Sequence, residues 1–334
     1  MGSLPISVIV IAHDRKDYLL EALESVKNQT LDRKKYEIIC VKNFMDEVLE
    51  SQIKNSVDLL INSQEDRYGM KVFEAISAST GEILCFLDDD DAFSRNKLEI
   101  IYSQFTENER LEYFHNGRTT ELNRLNSATP IKQNAEKTLA LDLQTAAPQE
   151  IVSFFRKYPD FNSSSISVRL IALEGKLNSL KSMVMHPDTF FLFSALERDG
   201  IIVDDPAILT FYRMHQSTTN HFEQSLEDFF QSKSSYYTRT ESDWAVLSSI
   251  LEKDTDEFLC NCESVHNRLL KGIYEIGTKP SAFFALNIDF VKCIGSRKIR
   301  NMMILSLIGF TLSIFPKIGR KLFYIYSTRL VSHS

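Results

Sequence analysis

Four short runs rich in β-branched and other apolar residues recur within the first 91 residues, each separated from the next by a polar or amphipathic stretch. They are "ISVIVIA" (6–12), "YEIICVKN" (36–43), "DLLIN" (58–62) and "EILCFLDDDD" (82–91). Continuous apolar runs of this length are what a parallel sheet covered on both faces requires. The segments between them agree. Leu19, Leu20, Leu23 and Val26 fall at helical spacing within 14–30, and "GMKVFEAISASTG" (69–81) reads as a helix with Gly81 just past its end. The alternation predicts a helix-flanked sheet of the α/β class. In such sheets ligands gather beyond the carboxyl ends of the strands. The fourth run ends there in Asp88, Asp89, Asp90 and Asp91.

Four adjacent carboxylates repel one another unless a cation sits among them. On an extended strand Asp88 and Asp90 point the same way, so the pair can share one divalent ion. Mg²⁺ or Mn²⁺ takes oxygen ligands and keeps positions open for substrate phosphates. Two other readings exist. The aspartates could cap the helix-like "RNKLEII" (95–101). An EF-hand would put Asp88, Asp90 and Glu99 at loop positions one, three and twelve, but Ala92 and Phe93 stand where a ligand and a glycine are required, and a strand precedes the motif.

Further along, residues 94–150 are polar and poorly periodic apart from "RNKLEIIYSQF". Residues 164–173 read as a strand leading into a helix, 188–200 as a helix stopped by Gly200, and 201–215 as two short strands around Asp205-Pro206. A helical pattern follows, which places a domain over 1–225 and a helical region over 226–334. The five cysteines are odd in number and no signal peptide precedes the first strand, which suits a reducing, cytoplasmic setting. Cys260 and Cys262 form a lone C-x-C, short of a zinc site.

The net charge of −7 hides a split. Residues 291–334 carry eight Lys or Arg and no acid, which leaves −15 on residues 1–290. The acidic body disfavours nucleic acid as a partner; the basic tail suits an anionic surface. "NMMILSLIGFTLSIF" (301–315) is uncharged but shorter than the roughly 20 residues that span a bilayer. Arg297, Lys298 and Arg300 flank it on one side and Lys317, Arg320 and Lys321 on the other. That pattern predicts a tail held peripherally at the cytoplasmic face of a membrane. A bundle core or a contact in a homo-oligomer is the alternative.

Taken in order, "ISVIVIAHDRKDYLLEALESVKNQTLDRKKYEII" and "TGEILCFLDDDDAF" resemble the family 2 glycosyltransferases, with a weaker continuation through "HPDTFFLFSALERDGIIVDDPAILTFYRMHQST". The resemblance covers about residues 4–105 well and extends to about 220. It implies a GT-A-type nucleotide-sugar-binding mixed sheet flanked by helices, here followed by a C-terminal helical, partly hydrophobic region. It also implies a metal-dependent, inverting hexosyl transfer from a nucleotide-diphosphate sugar (UDP- or GDP-linked) to an acceptor hydroxyl, with Mn²⁺ or Mg²⁺ as cofactor. On the matching positions it puts Ala12, His13 and Arg15 in the first nucleotide-contacting loop and Asp89 beside the sugar and ribose. Asp90 becomes the metal ligand, assisted by Asp88 and Asp91, and Asp188 the catalytic base. Arg213 and His215 would face the diphosphate or the metal. Asp188 also suits a plain helix cap after Pro187.

The chain departs from the family pattern in three places. Where the family has Asp-Asp-Gly-Ser after the second strand, this chain has "KNFMD". Lys42 cannot accept a base N–H as Asp would, which leaves Asn43 or Asp46 for that role. The family's Ala-Arg-Asn is absent, with Lys71 the nearest cation, and its Glu-Asp is Pro187-Asp188. With a membrane-held tail the acceptor is expected to be a glycan or lipid-linked glycan. The alternatives are a sugar-phosphate nucleotidyltransferase, for which no Gly-rich, Lys-bearing loop is present, and a catalytically degenerate membrane-bound partner protein.

Overall fold

A computed structural model describes residues 5–14, 16–120, 137–158, 162–214, 225–275, 290–296 and 298–331. Its contacts divide the chain into two compact units, Met1–Phe154 with Tyr158–Met214, and Phe155–Lys157 with His215–Ser334.

The first unit is built on a nine-stranded sheet. β1 (Ile6–Ala12), β2 (Tyr36–Lys42), β3 (Leu59–Asn62) and β4 (Ile83–Asp88) form a parallel half in the order β3-β2-β1-β4. Every residue of β1 is buried. Its one polar side chain, Ser7, is satisfied by Glu37 Oε1 at 2.6 Å and by the N–H of Gly81 at 2.9 Å. Helix α1 (Leu19–Lys27) lays Leu19, Ala22, Leu23 and Val26 into the same core. Each buried Leu or Val among them contributes about 1.5–3 kcal/mol. From β1 the chain builds β2 and β3 on one side, packs α2 (Glu47–Lys54) and α3 (Tyr68–Ala78), and returns to set β4 on the other side. That reversal opens a crevice at the carboxyl ends of β1 and β4, where Ile11 lies opposite Asp88.

The other half is mixed. β8 (Ile166–Arg169) runs antiparallel to β4, then come β6 (Leu111–Thr119), β9 (Ile201–Phe211) and the two-residue β5 (Ala92–Phe93), with β7 (Leu139–Asp142) also on β9. Helices α4 (Lys97–Glu107), α5 (Pro148–Lys157) and α6 (Pro187–Leu196) complete the elements as far as residue 214.

Several local expectations are corrected. β6 is a buried central strand inside a stretch that reads as polar, because His115 and Asn116 find partners across the sheet in Asp204 and Thr210. β9 is one strand rather than two. Pro206 is accommodated by irregular register with β6 around Gly117, where a Cβ would stand 2.7 Å from the Pro206 carbonyl. The segment after β8 is a 3₁₀ turn, not an α-helix. α3 ends at Ala78 with Ser79 as its cap, so Gly81 is not the helix stop; a Cβ there would lie 2.5 Å from the Ser7 nitrogen. α6 ends at Leu196, four residues before Gly200.

In the second unit α7 (Leu226–Ser248), α8 (Asp254–Glu275), α9 (Ile299–Ile314) and α10 (Pro316–Val331) share a core that includes Phe229, Phe230, Leu269, Ile273, Met302 and Phe323. All five cysteines are free and buried. Among the described residues no helix is long and apolar enough to cross a membrane.

Candidate active site

The four aspartates leave β4 through a turn. β4 ends at Asp88, and the N–H of Asp91 donates to the Asp88 carbonyl at 3.2 Å. The turn, not strand alternation, gathers the carboxylates: one oxygen each from Asp88, Asp90 and Asp91 lies within 4.8 Å of the others. Among the described residues it is the one such group that could hold a metal ion. Burial raises the Asp88 carboxyl well above its ordinary value, and Asp91 and Asp90 add to it. Burial and Asp90 likewise push Asp91 up to about 7, against donors that favour its charge, including the Arg213 N–H. Asp91 Oδ2 is buried with no hydrogen-bond partner. A buried carboxyl oxygen left over from the protein's own bonding is what a hard divalent cation satisfies, so the residues present fit Mg²⁺ or Mn²⁺.

Distant side chains hold this turn. The Ser164 hydroxyl accepts from the Asp88 N–H at 3.0 Å. The Ser164 carbonyl takes Lys97 Nζ at 2.5 Å and the Thr210 hydroxyl at 2.9 Å. Lys97 is fully buried, also donates to Thr210 Oγ1 at 3.1 Å, and stands 3.9 Å from the centre of the Phe93 ring. Desolvation lowers its pKa to about 7. Arg213 closes the far side. Its N–H donates to Asp91 Oδ1 at 3.0 Å and its Nε to the Asp90 carbonyl at 2.9 Å, while its guanidinium pairs with Glu21 at 2.7 Å and covers the Tyr18 ring at 4.1 Å.

The second cluster forms at the ends of β1 and β2. Ala12 is the buried last residue of β1. The His13 N–H donates to Asp89 Oδ2 at 3.2 Å. Asp14, with φ 58°, donates its N–H to Asn43 Oδ1 at 2.9 Å and accepts from Asn43 Nδ2 at 2.9 Å, which fixes the amide's orientation. Asn43 Nδ2 then lies 3.2 Å from His13 Nδ1, and Lys71 Nζ reaches the same atom. Two donors facing Nδ1 leave it no proton of its own. That arrangement suits the tautomer with its hydrogen on Nε2, the nitrogen 3.4 Å from Asp14 Oδ2. Lys71 is fully buried behind His13, and desolvation brings it down to about 8. Lys42 is buried as well, on Glu50 at 3.1 Å and the Phe44 carbonyl at 2.7 Å. Asp46 caps α2 through the Leu49 N–H and pairs with Lys16.

Asp188 lies in the first turn of α6, two residues past the cap residue His186, whose own side chain makes no cap bond, so Asp188 is the side chain that serves this helix end. Its Oδ1 accepts the Thr189 N–H at 2.8 Å and sits 3.9 Å from His186 Nδ1. Tyr68 stands beside the aspartate turn. The phenol donates to Asp88 Oδ1, and beyond burial its pKa is raised by the fields of Asp88, Asp89 and Asp188 together. Arg15 and His215 lie outside the described residues.

Sequence reasoning missed Tyr68, Lys97, Ser164 and Thr210. Only Lys97 left a signal: it lies four and eight residues before the buried Ile101 and Phe105, on the core face of α4.

Residues 7–157 match the family model described as glycosyl transferase family 2. A poly(ribitol-phosphate) beta-glucosyltransferase of Bacillus spizizenii is 27% identical over 121 residues, which are 32% of this chain and 18% of that protein. The chain thus spans less than a fifth of the relative it matches. Among solved structures, residues 1–349 of TarS from S. aureus, in complex with UDP-GlcNAc, superpose with a TM-score of 0.51 at 15% identity, covering 89% of this chain and 91% of that one. The mannosyltransferase PcManGT from Pyrobaculum calidifontis, in complex with GDP-Man and Mn²⁺, gives 0.53 at 12% identity over 98% and 88%. The fold is of the GT-A type.

Proposed function

Because residues 7–157 carry a family 2 glycosyl transferase domain, we propose that this chain moves a sugar from a nucleoside-diphosphate donor to an acceptor hydroxyl, with inversion and with a divalent cation. The observation that carries the reading is the gathering of Asp88, Asp90 and Asp91 at the switch point of the sheet, with a buried oxygen of Asp91 left over. Those three residues would hold the ion, which when bound offsets the charge of the departing diphosphate. Arg213 brings a second cation to the same turn. His13, held by Asn43 and Lys71 at Nδ1, and Asp89 bind the nucleotide side of the donor. Lys71 acts from behind His13. Asp188 takes the proton from the attacking hydroxyl, and Tyr68, bonded to Asp88, feels the field of Asp188 as well.

UDP-GlcNAc in one structural relative and GDP-Man in another support a donor of the same class. Lys42, sealed against Glu50, favours base recognition by groups other than a carboxylate at that position. The acceptor is a glycan. A lipid-linked one requires the chain to reach a membrane from its cytoplasmic side, which the acid-free basic segment 291–334 favours.

Titration calorimetry with UDP, GDP, CMP and dTDP, with and without Mn²⁺, tests the reading. One nucleotide should bind only with metal, and Asp90→Ala should abolish it. Asp188→Asn should keep binding and lose transfer. No binding under any metal condition would overturn it in favour of a degenerate partner, and release of inorganic diphosphate would point to nucleotidyl transfer.

A further inference from the structure

Helix α9 has two apolar faces, and its own unit uses only one. Met302, Leu305 and Leu312 enter the core with Phe230, Ile273 and Phe323. On the opposite side Met303, Leu307, Phe310 and Ile314 follow at spacings of four, three and four, all exposed, with Leu307 at 68%. Phe315 and Ile318 carry the exposed surface across Pro316 into α10, Ile318 at 66%. The bend between the helices is tight: a Cβ on Gly319 would stand 2.6 Å from Leu312 Cδ2. The cations Arg300, Lys317 and Lys321 are exposed along the same two helices, which contain no acid.

We propose that this face of α9 and α10 lies in the plane of an anionic lipid bilayer, its apolar side chains inserted at the headgroup boundary and its cations on lipid phosphates. This deepens the membrane placement above and rests on it, but not on the transfer reaction. Three observations select that occupant. The sixteen residues of α9 rise about 24 Å at 1.5 Å each, less than the hydrocarbon thickness, so the helix does not span. An apolar stripe bordered by Lys and Arg is the surface that interfacial helices present. A second copy would bring one acid-free cationic segment against another, whereas anionic headgroups complement it.

The test is co-sedimentation of the full chain with vesicles of phosphatidylcholine alone or with about 30% phosphatidylglycerol, alongside sedimentation velocity without lipid. Binding should be at least about tenfold stronger to the anionic vesicles and should weaken with salt. Leu307→Ser with Phe310→Ser, both on exposed sites, should lose most of it, as should Lys317→Glu with Lys321→Glu. Metal-dependent nucleotide binding should stay unchanged in both variants, which separates a failure here from a failure of the donor site. Absence of wild-type binding, or equal binding by the variants, overturns the proposal. So does a lipid-free dimer that Leu307→Ser with Phe310→Ser dissolves, which would assign the stripe to a second copy.

Discussion

The two halves of the sheet divide the labour of the site. The parallel half, β3-β2-β1-β4, supplies the crevice and delivers Asp88 to its mouth using apolar strands and locally packed helices. The mixed half supplies the grip. Ser164 before β8, Thr210 and Arg213 at the end of β9, and Lys97 on α4 hold the aspartate turn through hydrogen bonds spanning 46 to 123 residues of sequence. Delivering a group is thus a matter of hydrophobic pattern, and holding it at an angle is a matter of long-range polar bonds. The two should fail differently.

The largest expected effect separates ligands from scaffold. Asp90→Ala should weaken metal-dependent nucleotide binding by about a hundredfold or more, since it removes one of three gathered carboxylates. Its melting temperature should not fall, because the change also removes like-charge repulsion; paired calorimetry and thermal melts check both. Next, Gly81→Ala strikes the parallel half. Its Cβ would meet the Ser7 backbone at 2.5 Å, so urea denaturation should show a loss at the top of the overpacking range, about 3 kcal/mol.

Lys97 tests the mixed half through pH. Its folded pKa, about 7, lies below the ordinary 10.5, so between those values the unfolded chain binds more protons and stability rises with pH. The cost of burying the ammonium is complete below pH 7 and fades above it. From pH 7 to 9, wild type should gain about 2 kcal/mol relative to Lys97→Met in paired urea titrations. An equal slope in both proteins would mean that Lys97 stays charged in the fold.

The smallest effect concerns Lys71. As pH climbs through about 8 its ammonium is lost, and with it the cation behind His13 and Asp89. Nucleotide affinity should fall by up to about tenfold between pH 7 and 9 in wild type and stay flat in Lys71→Arg. An unchanged wild-type affinity would place Lys71 among purely structural contacts.

The same division explains what could be read from the sequence. β1, β2, β3, β4 and the aspartate run are local patterns, legible because the residues that set each element are its own. β6 was hidden because His115 and Asn116 look polar until Asp204 and Thr210 arrive from β9 to satisfy them. Asp188 is proposed as the base by resemblance alone. Tyr68 and Ser164 carry no pattern at all, since their roles exist only where α3 and the segment before β8 meet the end of β4.

Arg213 grips residue 90 by its main chain, with Nε on the carbonyl oxygen. That bond survives any side chain placed there. A copy of this domain with residue 90 made inert would keep its clamp and its shape while losing one of the three carboxylates proposed to hold the ion. Such a copy would serve as a decoy: a catalytically silent twin for fishing out whatever else the rest of the molecule touches.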